Sequence, residues 1–223
     1  IDPSRIIGER IGVACFAETE SVLLEMIDQL IARFFTIFTD NMHAAAAVNC
    51  CSAMCSSFTI FFLFLTIVHF GRRILEKQGK KLTTGNAIAV LGAGLAGSLA
   101  FCFSDSFWFN AVEGEVYAMS SLATAVVLWA ILKWEEQADE PYADRWLVLI
   151  AFLMGLSIGI HLLNLLVIPA MVFIYYYRKH ENEHISFWKG LEILCISGAL
   201  VALVLYIIIP CLPKIVAFVD RIF

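Results

Sequence analysis

Residues 146–177 read WLVLIAFLMGLSIGIHLLNLLVIPAMVFIYYY, a run of 32 residues without one Asp, Glu, Lys or Arg. As one straight helix at 1.5 Å per residue it would measure about 48 Å. The hydrocarbon core of a bilayer is only about 30 Å thick. The run is therefore too long for a single span and too apolar for a soluble element. Gly155, Gly159, His161 and Asn164 lie near its middle. This predicts two short helices that meet near His161, inside or at the edge of a membrane.

Working outward, the composition agrees. The chain is 61% hydrophobic and 16% charged, whereas soluble domains average about 45–50% and about 25%. A second run, Met42 to Phe70, also lacks Asp, Glu, Lys and Arg and exceeds the roughly 20 residues that a spanning helix needs. Further apolar spans are read at about 87–103, 116–132 and 191–209, the last stopped by Pro210 and Pro213. Residues 21–38, SVLLEMIDQLIARFFTIF, have helical apolar spacing but carry Glu25, Asp28 and Arg33 on another face. That pattern fits an amphipathic helix lying in the membrane interface. The expected fold is all-α, a polytopic transmembrane helix bundle of about six spanning helices plus this N-terminal interfacial helix.

Charge placement gives an orientation. Ten Lys/Arg fall in alternate loops: Arg72, Arg73, Lys77, Lys80 and Lys81, then Lys133 and Arg145, then Arg178, Lys179 and Lys189. The opposite side has none in the 104–115 stretch or at the His161 turn, and the C-terminal tail adds Lys214 and Arg221. The N-terminal Arg5, Arg10 and Arg33 run against the trend. By the positive-inside rule the basic loops face the cytoplasm and the 104–115 loop is extracytoplasmic. Trp108, Trp134, Trp146 and Trp188 sit at predicted span ends, as an aromatic belt requires. The same reasoning makes the basic loop a juxtamembrane feature and excludes nucleic acid as a partner. Residues 1–20 carry charges throughout, so no secretory signal peptide is read there. Cys50, Cys51, Cys55, Cys102 and Cys195 lie in apolar segments without zinc-type spacing, which makes them packing residues rather than metal ligands.

This topology carries Asp105, Glu113, Glu115 and His161 to one side of the membrane from separate segments. Ionisable residues near membrane depth are costly and often functional. Carboxylates and a His on one face can act as bases, ligate a metal or accept from sugar hydroxyls. Glu113 and Glu115, two apart in NAVEGEVY, read equally well as solvated carboxylates at a helix N-terminus. His161 and Asn164, three apart, share a helical face and can also form a purely structural interhelical contact. Gly92, Gly94 and Gly97 mimic a GxGxxG fingerprint, but with no strand before them they read as small residues for close helix packing.

Three blocks carry a family resemblance: LIARFFTIF at 30–38, SFWFNAVEGEVYAMSSL at 106–122, and GLSIGIHLLNLLVIPA at 155–170. Over roughly residues 30–210 the chain resembles a bacterial family of multipass membrane proteins related to the eukaryotic transmembrane O-mannosyltransferase of plexin-type receptors. The resemblance implies the GT-C glycosyltransferase superfamily, whose paired short helices the G-x-x-x-G-I-H turn also resembles. Such enzymes take a sugar from a polyprenyl-phosphate donor on the extracytoplasmic face, in some cases with a divalent metal. Family members carry a W-D-x-G-E loop, whose Asp is the expected base, and a G-H-P-P-G-x-P stretch. Residues 1–28 contain neither. We therefore divide the chain into a divergent N-terminal segment, 1–28, and a transmembrane helical domain, 29–223, and leave the catalytic base unassigned.

The resulting expectation is a glycosyltransferase core in a bacterial inner membrane, transferring a mannose-like sugar from a lipid-linked donor to a protein Ser or Thr. Truncation would leave it inactive as an isolated chain. Asp105, Glu113, Glu115, His161 and Asn164 are the expected substrate-binding residues, with no metal ligands assigned. A carrier of the flippase type and a non-catalytic membrane scaffold are the alternatives. The orientation is directly testable. Cysteines placed at Gln78 and Glu183 should resist an impermeant thiol reagent in intact cells, while one at Asp105 reacts; the reverse pattern inverts the topology.

Overall fold

The computed structural model describes residues 44–113, 116–158, 161–180, 187–208 and 211. The predicted interfacial helix at 21–38, the boundary at 28/29 and Glu115 lie outside the described residues. Among the described residues all regular structure is helical. The α-helices are α1 (Ala44–Lys77), α2 (Thr84–Cys102), α3 (Asp105–Val112), α4 (Val116–Gln137), α5 (Asp144–Ile158), α6 (Val167–Lys179) and α7 (Phe187–Leu203). A 3-10 turn, Leu162–Leu166, precedes α6, and a π-helical turn, Val204–Ile208, continues α7.

Four helices are long and apolar enough to cross a membrane: Val48–Lys77, Thr84–Cys102, Tyr117–Gln137 and Phe187–Ile207. The chain is a multipass membrane protein. The expected count of about six spans falls to four among the described residues, for a reason of length. With 15 and 13 residues, α5 and α6 measure about 22 and 20 Å, each short of the hydrocarbon thickness. The split of 146–177 is found as expected. The described part of α5 ends at Ile158, His161 is non-helical, 162–166 form a 3-10 turn, and regular α-helix resumes only at Val167. Pro169 enforces part of this, since it has no N–H to offer the Leu165 carbonyl and is tolerated only in a first turn. The 104–115 stretch, read as a loop, instead contains α3.

On α1, α2 and α7 the outward side is apolar and the inward side mostly small or polar, whereas α4 buries Val127, Ile131, Leu132 and Trp134. On α2, Ile88, Leu91, Leu95 and Leu99 are exposed while Gly94 and Ser98 are buried. On α7, Leu194, Leu200 and Leu203 are exposed while Ile193 and Ser197 are buried. Ser52, Ser56, Thr59 and Thr66 are buried on α1, opposite exposed Phe58 and Phe61. In lipid, tails solvate large apolar side chains as well as a core does, so close contact between backbones decides which face turns inward. Most of the buried hydroxyls are satisfied by their own helix. Thr59 donates to the Cys55 carbonyl at 2.9 Å, Thr66 to Phe62 at 2.9 Å, Ser98 to Leu95 at 3.1 Å and Ser197 to Leu194 at 2.8 Å.

Packing divides the chain into two units. One takes the described residues up to Trp129 together with Ala151–Asn164; the other takes Ala130–Ile150 and the residues from Leu165 onward. In the first, α1 and α2 form an antiparallel pair. The end of α1 is closed by a Schellman arrangement: Lys80 N–H donates to the Leu75 carbonyl and Gly79 N–H to that of Glu76. Gly79 takes the left-handed conformation this needs, at φ +66°. Thr83 then caps α2, its hydroxyl accepting from Asn86 N–H at 3.4 Å. In the second unit, Trp134 stacks on Tyr175 with centroids 5.0 Å apart. Arg178 pairs with Asp139 and donates through Nε to the Glu135 carbonyl at 3.0 Å, satisfying an acceptor in the last turn of α4.

The glycines of α2 are not equivalent. A Cβ on Gly94 would meet Val68 Cγ2 at 2.8 Å and the Phe64 ring at 3.1 Å, and one on Gly97 would meet Ile67 at 3.0 Å. A Cβ on Gly92 would meet nothing within 4 Å. Gly94→Val should therefore cost about 1–3 kcal/mol by overpacking, whereas Gly92→Val should be close to neutral. Denaturation in mixed detergent micelles measures both; equal effects would contradict the α1–α2 packing.

Candidate functional site

The interruption between α5 and α6 is the feature from which a site can be built. Counted from Arg145, where the charged loop ends, α5 carries the chain about 20 Å before it breaks. That is less than the roughly 30 Å of hydrocarbon, and inside hydrocarbon irregular backbone is tolerated only if protein or trapped water satisfies it. His161 N–H donates to the Ser157 carbonyl at 2.9 Å, which extends the ladder of α5 by one bond. The Ser157 hydroxyl, itself buried, donates to the Met154 carbonyl at 2.8 Å.

Two side-chain contacts tie this break to α4. Asn164 is fully buried, at 0% exposure, and its Oδ1 accepts from the Thr124 hydroxyl at 2.7 Å. The half-exposed His161 ring lies against Tyr117, with centroids 5.4 Å apart and planes inclined at 52°. Tyr117 and Thr124 are seven residues apart, two turns of one helical face, so both contacts use the same stripe of α4. Ser120 lies on that stripe, and its buried Oγ has no hydrogen-bond partner. The Asn164 Nδ2 is likewise buried without a partner. The break therefore encloses buried N–H donors and a hydroxyl that no hydrogen bond satisfies, with the His161–Tyr117 contact beside them.

The acidic residues are placed differently from His161 and Asn164. Asp105 occupies the first turn of α3, where the helix dipole favours a carboxylate. Glu113 is the C-terminal cap residue of the same helix and is exposed. Eight residues of helix separate them by about 12 Å, so these two do not form one carboxylate pair. Among the described residues no three of His, Cys, Asp and Glu gather closely enough to hold a metal ion. Glu115 lies outside the described residues.

Tyr117, Ser120 and Thr124 were not singled out in the sequence. A signal for them exists. Tyr117, Ser120, Ser121 and Thr124 follow i, i+3, i+4, i+7 spacing in an otherwise apolar span, the signature of one polar helical face.

A multipass helical membrane protein with a polar interruption between two short apolar helices is the class that these observations define. The chain belongs to the family described as the protein O-mannosyl-transferase TMEM260 N-terminal domain, whose model matches residues 27–184. That interval contains all three sequence blocks on which the resemblance rested, and it ends before α7. No curated protein and no solved structure matches the chain.

The link between α4 and the break can be measured. A double-mutant cycle of Thr124→Val and Asn164→Ala, followed by denaturation in mixed micelles, should return a coupling of about 0.6 kcal/mol and not above about 1.7. Additive single effects would mean that the bond does not join the two segments.

Proposed function

We propose that the chain is the membrane-embedded core of a GT-C-type glycosyltransferase. It would transfer a mannose-like sugar from a polyprenyl-phosphate donor to a protein Ser or Thr on the extracytoplasmic face of a bacterial inner membrane. The observation that carries this reading is the family match over residues 27–184, whose description names a protein O-mannosyl-transferase.

In this mechanism a carboxylate accepts the proton of the acceptor hydroxyl as its oxygen forms a bond to the anomeric carbon. The bond from that carbon to the donor phosphate breaks, and its electron pair leaves with the polyprenyl phosphate. His161 and the Asn164 amide would contact the donor phosphate or order the floor of the site. Glu113 and Glu115 would shape the acceptor or sugar subsite, with Asp105 at its margin. The base is not among the residues assigned, since the loop motif expected to supply it is missing from residues 1–28. The described residues bring no ligand set together for a divalent metal, so no step is routed through one.

A second reading draws on the complete burial of Asn164. In it the polar groups only lock the break to α4 and the chain is a non-catalytic scaffold. The two differ in the size of a rate effect. Glu115→Gln and His161→Ala, made at the matching positions of a full-length family member, should each lower transfer from polyprenyl-phosphate mannose about 10²–10³-fold with insertion unchanged. Retention of more than about a third of the transfer in both variants would favour the scaffold, because a lost interhelical bond costs only about 0.6 kcal/mol.

A further inference from the structure

The eight residues of α3 have two unlike faces. Phe107 is buried and lies against Phe101 with ring centroids 4.8 Å apart, and Asn110 and Ala111, on the same side, are half-buried. This side packs on α1 and α2. At 100° per residue, Asp105, Trp108, Phe109 and Val112 fall on the opposite side, and all four are exposed. Trp108 is 52% exposed, Phe109 62%, and Phe103, stacked on Trp108 at 6.1 Å, 69%. So large an aromatic surface on a short helix requires a cover.

Chain connectivity says what that cover is. Only Phe103 and Ser104 separate α3 from the end of α2, and three residues separate it from α4. Both neighbours are long and apolar enough to span a membrane. A helix of about 12 Å between two such spans cannot leave the boundary at which they end, nor cross back. Its outward face is therefore held at the level of lipid headgroups and upper acyl chains. Tryptophan favours this level because its ring is apolar in body with one polar N–H, and phenylalanine belongs on the apolar face that an interfacial helix buries among the acyl chains. Asp105 and Glu113, at the two ends of the helix, can reach the aqueous side.

We propose that α3 is a membrane-interface helix that inserts Phe103, Trp108 and Phe109 between the lipids of the leaflet where α2 ends and α4 begins. The partner is the lipid itself. This anchoring fixes the height of Glu113, the residue that caps α3, at headgroup level. The inference is independent of the glycosyltransferase reading, since it rests on exposure and connectivity alone.

The test uses the full chain reconstituted in phosphatidylcholine vesicles, with and without brominated phosphatidylcholine carrying bromine on the upper acyl chain. The Trp108 contribution is the difference in tryptophan fluorescence between the parent protein and Trp108→Phe. It should lose most of its intensity in the brominated vesicles and resist acrylamide added to the water. Phe109→Trp in the Trp108→Phe background should behave alike. Quenching by acrylamide but not by brominated lipid would overturn the proposal and make the face a docking surface for a soluble partner. Quenching by neither would overturn it equally, because the face would then be covered by protein.

Discussion

Inside hydrocarbon, every backbone N–H and C=O must find a partner within the protein, and the rest of this structure depends on that constraint. It explains why the described regular structure is wholly helical, and why polar side chains collect where the α-helix gives way between α5 and α6. His161 is non-helical and Leu162–Leu166 form a 3-10 turn, so the α-helical ladder is interrupted before Val167, and Pro169 removes a donor that would help repair it. Asn164, Thr124 and Ser157 are hydrogen-bonded in this region, and all are polar groups that a lipid-facing surface would reject. The interruption is thus stabilised from within, and in the same act it concentrates hydrogen-bonding capacity in an otherwise apolar protein.

A second regularity follows from solvent. Large side chains such as Ile88, Leu95 and Leu200 face outward, and Gly94, Ser98 and Ser197 face inward. Read with the rules of soluble proteins, α2 would be placed inside out, whereas α4 buries large side chains, among them Val127, Ile131 and Trp134. Hydrophobicity does not discriminate faces when the surroundings are as apolar as the core, so the discriminating quantity is side-chain size. Gly94 and Gly97 let α2 approach Phe64, Val68 and Ile67 of α1 at van der Waals distance.

Much of the architecture was legible because hydrocarbon thickness is a ruler. The excess length of 146–177, with Gly159 and His161 at its middle, announced the break. The same ruler miscounted the spans, because an uncharged run does not reveal how many of its residues remain α-helical once it turns. Helix α3 was illegible for another reason. A segment reading DSFWFNAV is too short to be helical alone, and docking of Phe107 against Phe101 is a tertiary event that local spacing does not encode. At the candidate site, His161 and Asn164 stood out as polar interruptions of an apolar run. Their partners did not, since tyrosine and threonine are unremarked in membrane helices and only the seven-residue spacing of Tyr117 and Thr124 joins them. The acidic residues were grouped by shared topology, a criterion that assigns a side of the membrane and says nothing of the about 12 Å between Asp105 and Glu113.

The brevity of α5 and α6 bears on how the chain is made. A translocating ribosome delivers segments one at a time, and a segment partitions into lipid by itself when about 20 apolar residues can cover the hydrocarbon. Helices α1, α2, α4 and α7 meet that condition. With 15 and 13 residues, α5 and α6 do not, so each enters the bilayer only in company. The partner that receives Asn164 lies on α4, which is synthesised immediately before. In chain order, α4 thus precedes the broken pair and already carries, at Thr124, the hydroxyl that Asn164 accepts from.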